Sequence, residues 1–192
     1  MSQVIKVNRV TKETNIELSL NVHGSQQIEI DTGIGFLDHM IQQLASHGRW
    51  DLTLKVKGDL EIDDHHTVED IAIVLGDALQ QSWRGLDSMT RYGQRLLPMD
   101  EALILCAVDL CGRGIYVGRL PFTREFLGEI STEMFEHFFN TLAMSAAITL
   151  HIEPIHFYNN HHLAEGSFKA LAYALKEALA PAEGTNTTKG VL

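Results

Sequence analysis

Histidine is the residue in this chain most able to do chemistry, and there are ten: His23, His39, His47, His65, His66, His137, His151, His156, His161 and His162. Two adjacent pairs, His65-His66 and His161-His162, lie 96 residues apart, and each is followed at the same distance by a glutamate, Glu69 or Glu165. Upstream of each pair stands a lone histidine preceded by an acid, in Phe36-Leu37-Asp38-His39 and Met134-Phe135-Glu136-His137, at gaps of 26 and 24 residues. Helical residues three or four apart share a face, so each glutamate lies one turn beyond its pair. The two imidazoles of a pair leave a helix about 100° apart and serve two metals more easily than one. Each half supplies three imidazoles and one carboxylate. Symmetry then predicts two metal sites, each with about three nitrogens and one oxygen, a donor set suited to Mn, Fe, Zn, Ni or Co. A merely solvated face has no reason to repeat these residues at matched spacing. The isolated His23, His151 and His156 are read as structural.

The elements that must position these groups are themselves duplicated. At an offset of 96, Leu52-Thr53-Leu54-Lys55-Val56 aligns with Ile148-Thr149-Leu150-His151-Ile152, and Leu75, Ala78 and Leu79 align with Leu171, Ala174 and Leu175. At an offset of 88, Glu13, Ile16, Asn21 and Gly24 align with Glu101, Ile104, Asp109 and Gly112. Periodicity predicts strands over 16–22, 26–30 and 50–57, a helix over 36–47, and a second helix with Val68, Ile71, Ala72, Leu75 and Leu79 on one stripe, ending near Gly85. The second half predicts strands near 102–110, 114–119 and 147–153 and helices over 131–144 and 162–179. The expected fold is α+β, an internally duplicated half in which two helices cover one face of the strands. One catalytic domain, 1–192, is expected from two repeats, about 1–93 and 94–180, followed by an aperiodic tail, 181–192, that orders only on binding.

Composition narrows the partners. The chain has 192 residues, 25 acids against 15 bases and a formal net charge of −10, which argues against nucleic-acid binding. No apolar run is long enough to span a bilayer, and the Met1-Ser2-Gln3-Val4 start lacks a signal-peptide pattern, so no membrane partner is expected. Cys106 and Cys111 are too few to staple a fold, which predicts a reducing, cytoplasmic setting. Against so few bases, the placement of Arg91, Arg113, Lys169 and Lys189 reads as equipment for a phosphate. Lys169 lies four residues beyond Glu165, on the same helical face as that proposed ligand.

These segments resemble the imidazoleglycerol-phosphate dehydratase family. Phe36-Leu37-Asp38-His39-Met40, Asp64-His65-His66-Thr67-Val68-Glu69-Asp70, Pro98-Met99-Asp100-Glu101-Ala102, Glu136-His137-Phe138, Asn160-His161-His162-Leu163-Ala164-Glu165 and the terminal Thr187-Thr188-Lys189-Gly190-Val191-Leu192 carry the resemblance over nearly the whole chain. It implies a fold like ribosomal protein S5 domain 2 and a lyase of histidine biosynthesis that dehydrates imidazole glycerol phosphate to imidazole acetol phosphate. It implies two Mn2+ per active site and a homo-oligomer of twenty-four subunits with sites at subunit interfaces. By the same resemblance His39, His65, His66, Glu69, His137, His161, His162 and Glu165 are metal ligands. Glu13 is a candidate for proton transfer to the leaving hydroxyl, and Glu165 or Asp100 for the C–H step. Gln43, His47, Arg91, Arg113, Lys169, Thr187 and Lys189 match phosphate and substrate contacts. Thr187 stands where serine is expected and keeps the hydroxyl, whereas Gly114 stands where proline is common and loosens the loop presenting Arg113.

The reaction explains the residue types. The departing hydroxyl sits on the carbon attached to the imidazole ring, and the departing proton on the next carbon, with no carbonyl to activate either. Metals on both ring nitrogens would make an imidazolate accessible at neutral pH. It would expel hydroxide through a diazafulvene-like species, and loss of the neighbouring proton would give an enol that ketonises. Two rivals use the same ligands: a dinuclear metallohydrolase acting on a phosphate ester, and ions that only staple subunits together.

Overall fold

Alternation in the first third of the chain writes a sheet, and the longer 3.6-residue stripes write the helices that cover it. In the computed structural model, which describes residues 3–86 and 88–183, the first half runs β1 (Ile5–Val10), β2 (Thr14–Asn21), β3 (Ile28–Asp31), α1 (Gly35–Gly48), β4 (Asp51–Gly58) and α2 (His65–Arg84). The second half runs β5 (Tyr92–Met99), β6 (Ala102–Asp109), β7 (Ile115–Gly118), β8 (Phe126–Leu127), β9 (Ile130–Ser131), α3 (Glu133–Ala146), β10 (Thr149–His156) and α4 (Asn160–Ala178). Thr187 and Lys189 lie outside the described residues.

The two four-stranded sheets have equivalent orders, β1-β2-β4-β3 and β5-β6-β10-β7. β3 and β4 run parallel, as do β7 and β10. Parallel neighbours need a crossover, supplied by α1 and α3. Ile16, Leu18 and Leu20 of β2 are buried while Glu17 faces out, so the period of two sets which face meets the helices.

Both long helices lie flat on their own sheets, α2 on β1, β2 and β4 and α4 on β5, β6 and β10. α1 then packs on α4, and α3 packs on α2, so the helices of one half face those of the other across a shared core. Phe135, Phe138, Phe139 and Phe168 are fully buried there, and Phe139 and Phe168 stand 4.8 Å apart, centroid to centroid. Gly76 of α2 is the point of closest approach to α3; a Cβ there would meet Ser145 and the backbone of Ala146.

The two starting strands, β1 and β5, are absent from the sequence expectation. β5 carries Gly93, the unalternating Leu96-Leu97 and Pro98. Proline is tolerated on sheet edges, and β5 is an edge strand. The β8–β9 hairpin has no counterpart in the first half, and α3 starts after it, at Glu133 rather than 131. No helix among the described residues is long and apolar enough to cross a membrane.

Candidate metal centre and its flanking carboxylates

Both histidine pairs fall in the first turn of a long helix, and local hydrogen bonds set that position. Asn159 caps α4, its side-chain oxygen accepting from the backbone N–H of His161 at 2.8 Å. Asp63 does the same for the N–H of His65, at 2.9 Å. Asp64 accepts from the backbone N–H of Ser131 at 2.6 Å, and Asn160, its counterpart 96 residues on, accepts from that of Thr123 at 2.7 Å. These tethers draw the segment preceding α3 onto the starts of both long helices. The acids before the lone histidines work similarly. Asp38 accepts from the N–H and hydroxyl of Thr32 at 2.8 and 2.6 Å, and Glu136 from the N–H of Leu120 at 2.5 Å.

The resulting clusters cross the halves. His39 of α1 meets His161 and Glu165 of α4, with Nε2 of His39 and of His161 at 3.3 and 2.9 Å from Glu165 Oε2. His137 of α3 meets His65 and Glu69 of α2, with His137 Nε2 3.0 Å from Glu69 Oε1 and the two rings 4.8 Å apart. In each group the three ligand atoms lie within 4.8 Å of one another. The sequence left open which imidazole serves which ion; each cluster draws a lone histidine from one half and a pair member with its glutamate from the other, two imidazoles and one carboxylate within one chain. The cause is the packing of α1 on α4 and α3 on α2. Ligands about 2.1 Å from a common ion and at right angles are roughly 3 Å apart, so the observed 2.9–3.3 Å separations fit a divalent cation.

The second member of each pair turns away. His65 and His66 have ring planes 84° apart, and His161 and His162 85° apart. His66 Nδ1 is 3.0 Å from Asp59 Oδ2, and its Nε2 is 3.8 Å from Glu13 Oε1. His162 Nδ1 is 2.8 Å from Glu101 Oε2, and its Nε2 is 3.8 Å from Asp100 Oδ2. Two of the three sequence-derived candidate proton carriers, Glu13 and Asp100, therefore flank equivalent histidines in the two halves, while the third, Glu165, lies in the α1–α4 cluster. Asp100 sits in a tight turn at φ 49°, a left-handed conformation that aspartate tolerates. The structure thus brings four of the six expected histidine ligands into two clusters and leaves His66 and His162 outside them.

Electrostatics separate the carboxylates. Burial pushes the Glu165 pKa up, but hydrogen bonds from Lys169 and His161 outweigh it and hold it down at about 2. Lys169 Nζ is 2.6 Å from Glu165 Oε1, so both oxygens of Glu165 are engaged. The hydrogen bond from His162 likewise lowers the Glu101 pKa to about 2. Asp59 raises His66 above the ordinary histidine value. Burial, followed by the Lys169 charge, lowers His47, which faces the Tyr173 hydroxyl at 3.3 Å. Gln43 lies between, 3.4 Å from His39 Nδ1. His39, Gln43 and His47 on α1 thus oppose His161, Glu165, Lys169 and Tyr173 on α4. On the α2–α3 side Ile73 stands where Lys169 stands in the repeat.

Arg91 and Arg113 lie elsewhere. Arg91 Nε donates to Asp109 Oδ1 at 2.8 Å, and Arg113 Nη2 is 3.9 Å from Asp109 Oδ2. Arg91 immediately precedes β5 and Asp100 immediately follows it. Eight residues of strand span roughly 25 Å, so within one chain these arginines are at the far end of the sheet from the His162 turn. Sequence reasoning missed Asp59 and Tyr173 as neighbours of the site. Glu101 had a signal, its repeat equivalence to Glu13.

A family model described as imidazoleglycerol-phosphate dehydratase matches residues 32–175. The chain is 50% identical to the imidazoleglycerol-phosphate dehydratase of Lachnoclostridium phytofermentans over 195 residues, covering all of both chains. It is 47% identical to that of Acetivibrio thermocellus, again over all of both. The crystal structure of imidazoleglycerol-phosphate dehydratase from Staphylococcus aureus is similar with a TM-score of 0.86 at 33% identity, over 94% of this chain and 100% of the other. The enzyme from Pyrococcus furiosus, in complex with (S)-C348, gives 0.85 at 33% identity, over 97% and 100%.

Proposed function

This chain belongs to the imidazoleglycerol-phosphate dehydratase family, and from that premise we propose that it dehydrates imidazole glycerol phosphate at a two-metal centre assembled between subunits. It is a lyase of histidine biosynthesis. The observation that carries the two-metal reading is the pair of half-crossed clusters, each beside an outlying histidine with an open carboxylate at its Nε2.

His39, His161 and Glu165 would hold one divalent ion and His65, Glu69 and His137 the other, with Mn2+ the expected metal. His66 and His162 would complete the coordination of ions bound by neighbouring copies. When bound to both ring nitrogens of the substrate, such ions supply the Lewis acidity that makes an imidazolate accessible at neutral pH. Glu13 Oε1, beside His66 Nε2, delivers the proton with which the hydroxyl leaves as water. Asp100 Oδ2, beside His162 Nε2, takes the proton from the neighbouring carbon. The enol so formed ketonises, and the net loss is one water. Of the two candidates for the C–H step we assign Asp100, because Glu165 has both oxygens committed and Asp100 is 79% exposed and open to proton exchange.

Lys169, Gln43 and His47 lead away from one cluster only, which gives the phosphate a side. Arg91 and Arg113 reach that phosphate from a second copy, since within one chain they lie at the far end of their sheet. Thr187 and Lys189, outside the described residues, would be further phosphate contacts. An assembly of twenty-four subunits fits this sharing. Two free, buried cysteines suit a cytoplasmic setting.

Lys169→Met removes a charge-assisted contact worth about 1.5–3 kcal/mol, so kcat/KM falls roughly 10- to 150-fold, chiefly through KM, in steady-state kinetics. The reading as a whole is tested by incubating the protein and Mn2+ with imidazole glycerol phosphate. Imidazole acetol phosphate is the expected product. Release of inorganic phosphate instead would establish the hydrolase.

A further inference from the structure

We propose that Asp59 and Glu101 are positioning residues that fix the tautomer and direction of His66 and His162, so that each presents the lone pair of Nε2 to an ion. The inference rests on the two-metal reading above. An ionised carboxylate can only accept hydrogen bonds, so Asp59 Oδ2 at 3.0 Å and Glu101 Oε2 at 2.8 Å place the histidine proton on Nδ1. A neutral imidazole has one N–H, which leaves Nε2 as the donor atom.

Three observations separate this from incidental contact. The other oxygen of Asp59, Oδ1, is buried without a hydrogen-bond partner among the described residues. A carboxylate oxygen desolvated in this way is costly, and the charge-assisted bond from His66 to the other oxygen, Oδ2, offsets that cost. Glu101 is held in turn. Its Oε1 accepts from the backbone N–H groups of Asn159 and Tyr158 at 2.8 and 3.3 Å, and its backbone oxygen faces His156 Nδ1 at 2.9 Å. His156, which sequence reasoning left without a task, thus steadies the turn that carries Glu101.

The third observation comes from the duplication. His66 and His162 are repeat equivalents, yet the carboxylates on their Nδ1 atoms are not. The counterpart of Asp59 is Ile155, and the counterpart of Glu101 is Glu13. Both halves hold a carboxylate on Nδ1 and a second one 3.8 Å from Nε2, from non-equivalent positions. Copying one half cannot produce that; a shared requirement can. It also explains a division of labour. Because Asp59 takes the Nδ1 side of His66, Glu13 is released to the Nε2 side, whereas its counterpart Glu101 is occupied and Asp100 stands there instead.

The test is Mn2+ titration of chelated, reassembled protein, with free Mn2+ followed by its EPR signal, on Asp59→Ala, Asp59→Asn, Glu101→Ala, Glu101→Gln and His66→Ala. Alanine at either carboxylate should weaken Mn2+ binding about 10- to 100-fold. The amides keep the size and an acceptor oxygen, and should fall between alanine and the unaltered protein, at roughly 3- to 10-fold weaker binding. Unchanged affinity in the alanine variants overturns the proposal. If alanine unfolds the chain, the amides decide alone, and affinity equal to the unaltered protein overturns it. His66→Ala separates the layers. If it too leaves affinity unchanged, the metal reading has failed; if it alone weakens binding, only the positioning role has.

Discussion

Glu13→Gln should lower turnover by about 10²- to 10⁴-fold, the usual worth of a positioned general acid or base, while Mn2+ content and assembly stay intact. The basis is geometric. Glu13 Oε1 stands 3.8 Å from His66 Nε2 and belongs to neither intrachain cluster, so the substitution removes a transferable proton without removing a cluster ligand. Its backbone is fixed locally, with the N–H donating to Thr11 Oγ at 3.1 Å, and a glutamine leaves that bond in place. Metal analysis and sedimentation of the variant, run beside single-turnover kinetics, check the outcome. Full activity would remove Glu13 from the chemistry. Lost activity with intact metal and assembly would sink the view that the ions are only staples.

Unloading a single cluster should be still more damaging. Glu69→Gln with His137→Ala leaves His65 as the last described ligand of the α2–α3 cluster and does not touch His39, His161 or Glu165. If the reaction requires an ion at each end of the flat imidazole, this variant loses turnover by more than about 10³-fold and binds about one ion fewer per chain. The mirror variant on α1 and α4 behaves differently. Glu165→Gln also strips Lys169 of a partner at 2.6 Å. It leaves that ammonium, 20% exposed, facing an uncharged amide, and should cost stability as well as activity. Thermal unfolding of both variants after chelation distinguishes the two effects.

Much of the site was legible because the duplication is written in residue types. His65-His66-x-x-Glu69 and His161-His162-x-x-Glu165 carry their helical geometry with them, since both begin helices whose periodic stripes are plain. What spacing within a half could not show is the exchange of partners. His39 and Glu165 are 126 positions apart and meet only because α1 lies on α4, a contact set by the shared core. Asp59 stayed hidden for a related reason, as no repeat equivalent marks it. The basic residues were found by scarcity alone. Scarcity does not report that Asp109 holds Arg91, or that a whole strand separates both arginines from Asp100. The fold shows the same pattern. β2, β4, β6 and β10 alternate cleanly because one face is buried. The edge strands β1 and β5 do not in residue type, because Arg9 takes an inward place beside Asp70 at 2.9 Å and the exposed Leu96 directly precedes the buried Leu97.

Whether the two half-crossed histidine–glutamate clusters together form the working centre is decided by titrating chelated protein with Mn2+ while measuring bound metal and turnover of imidazole glycerol phosphate in the same samples. Two ions per chain should bind, with turnover absent from the chelated protein and rising only as the second ion binds. Turnover by the fully chelated protein, or full turnover with one ion per chain, would contradict a two-cluster centre.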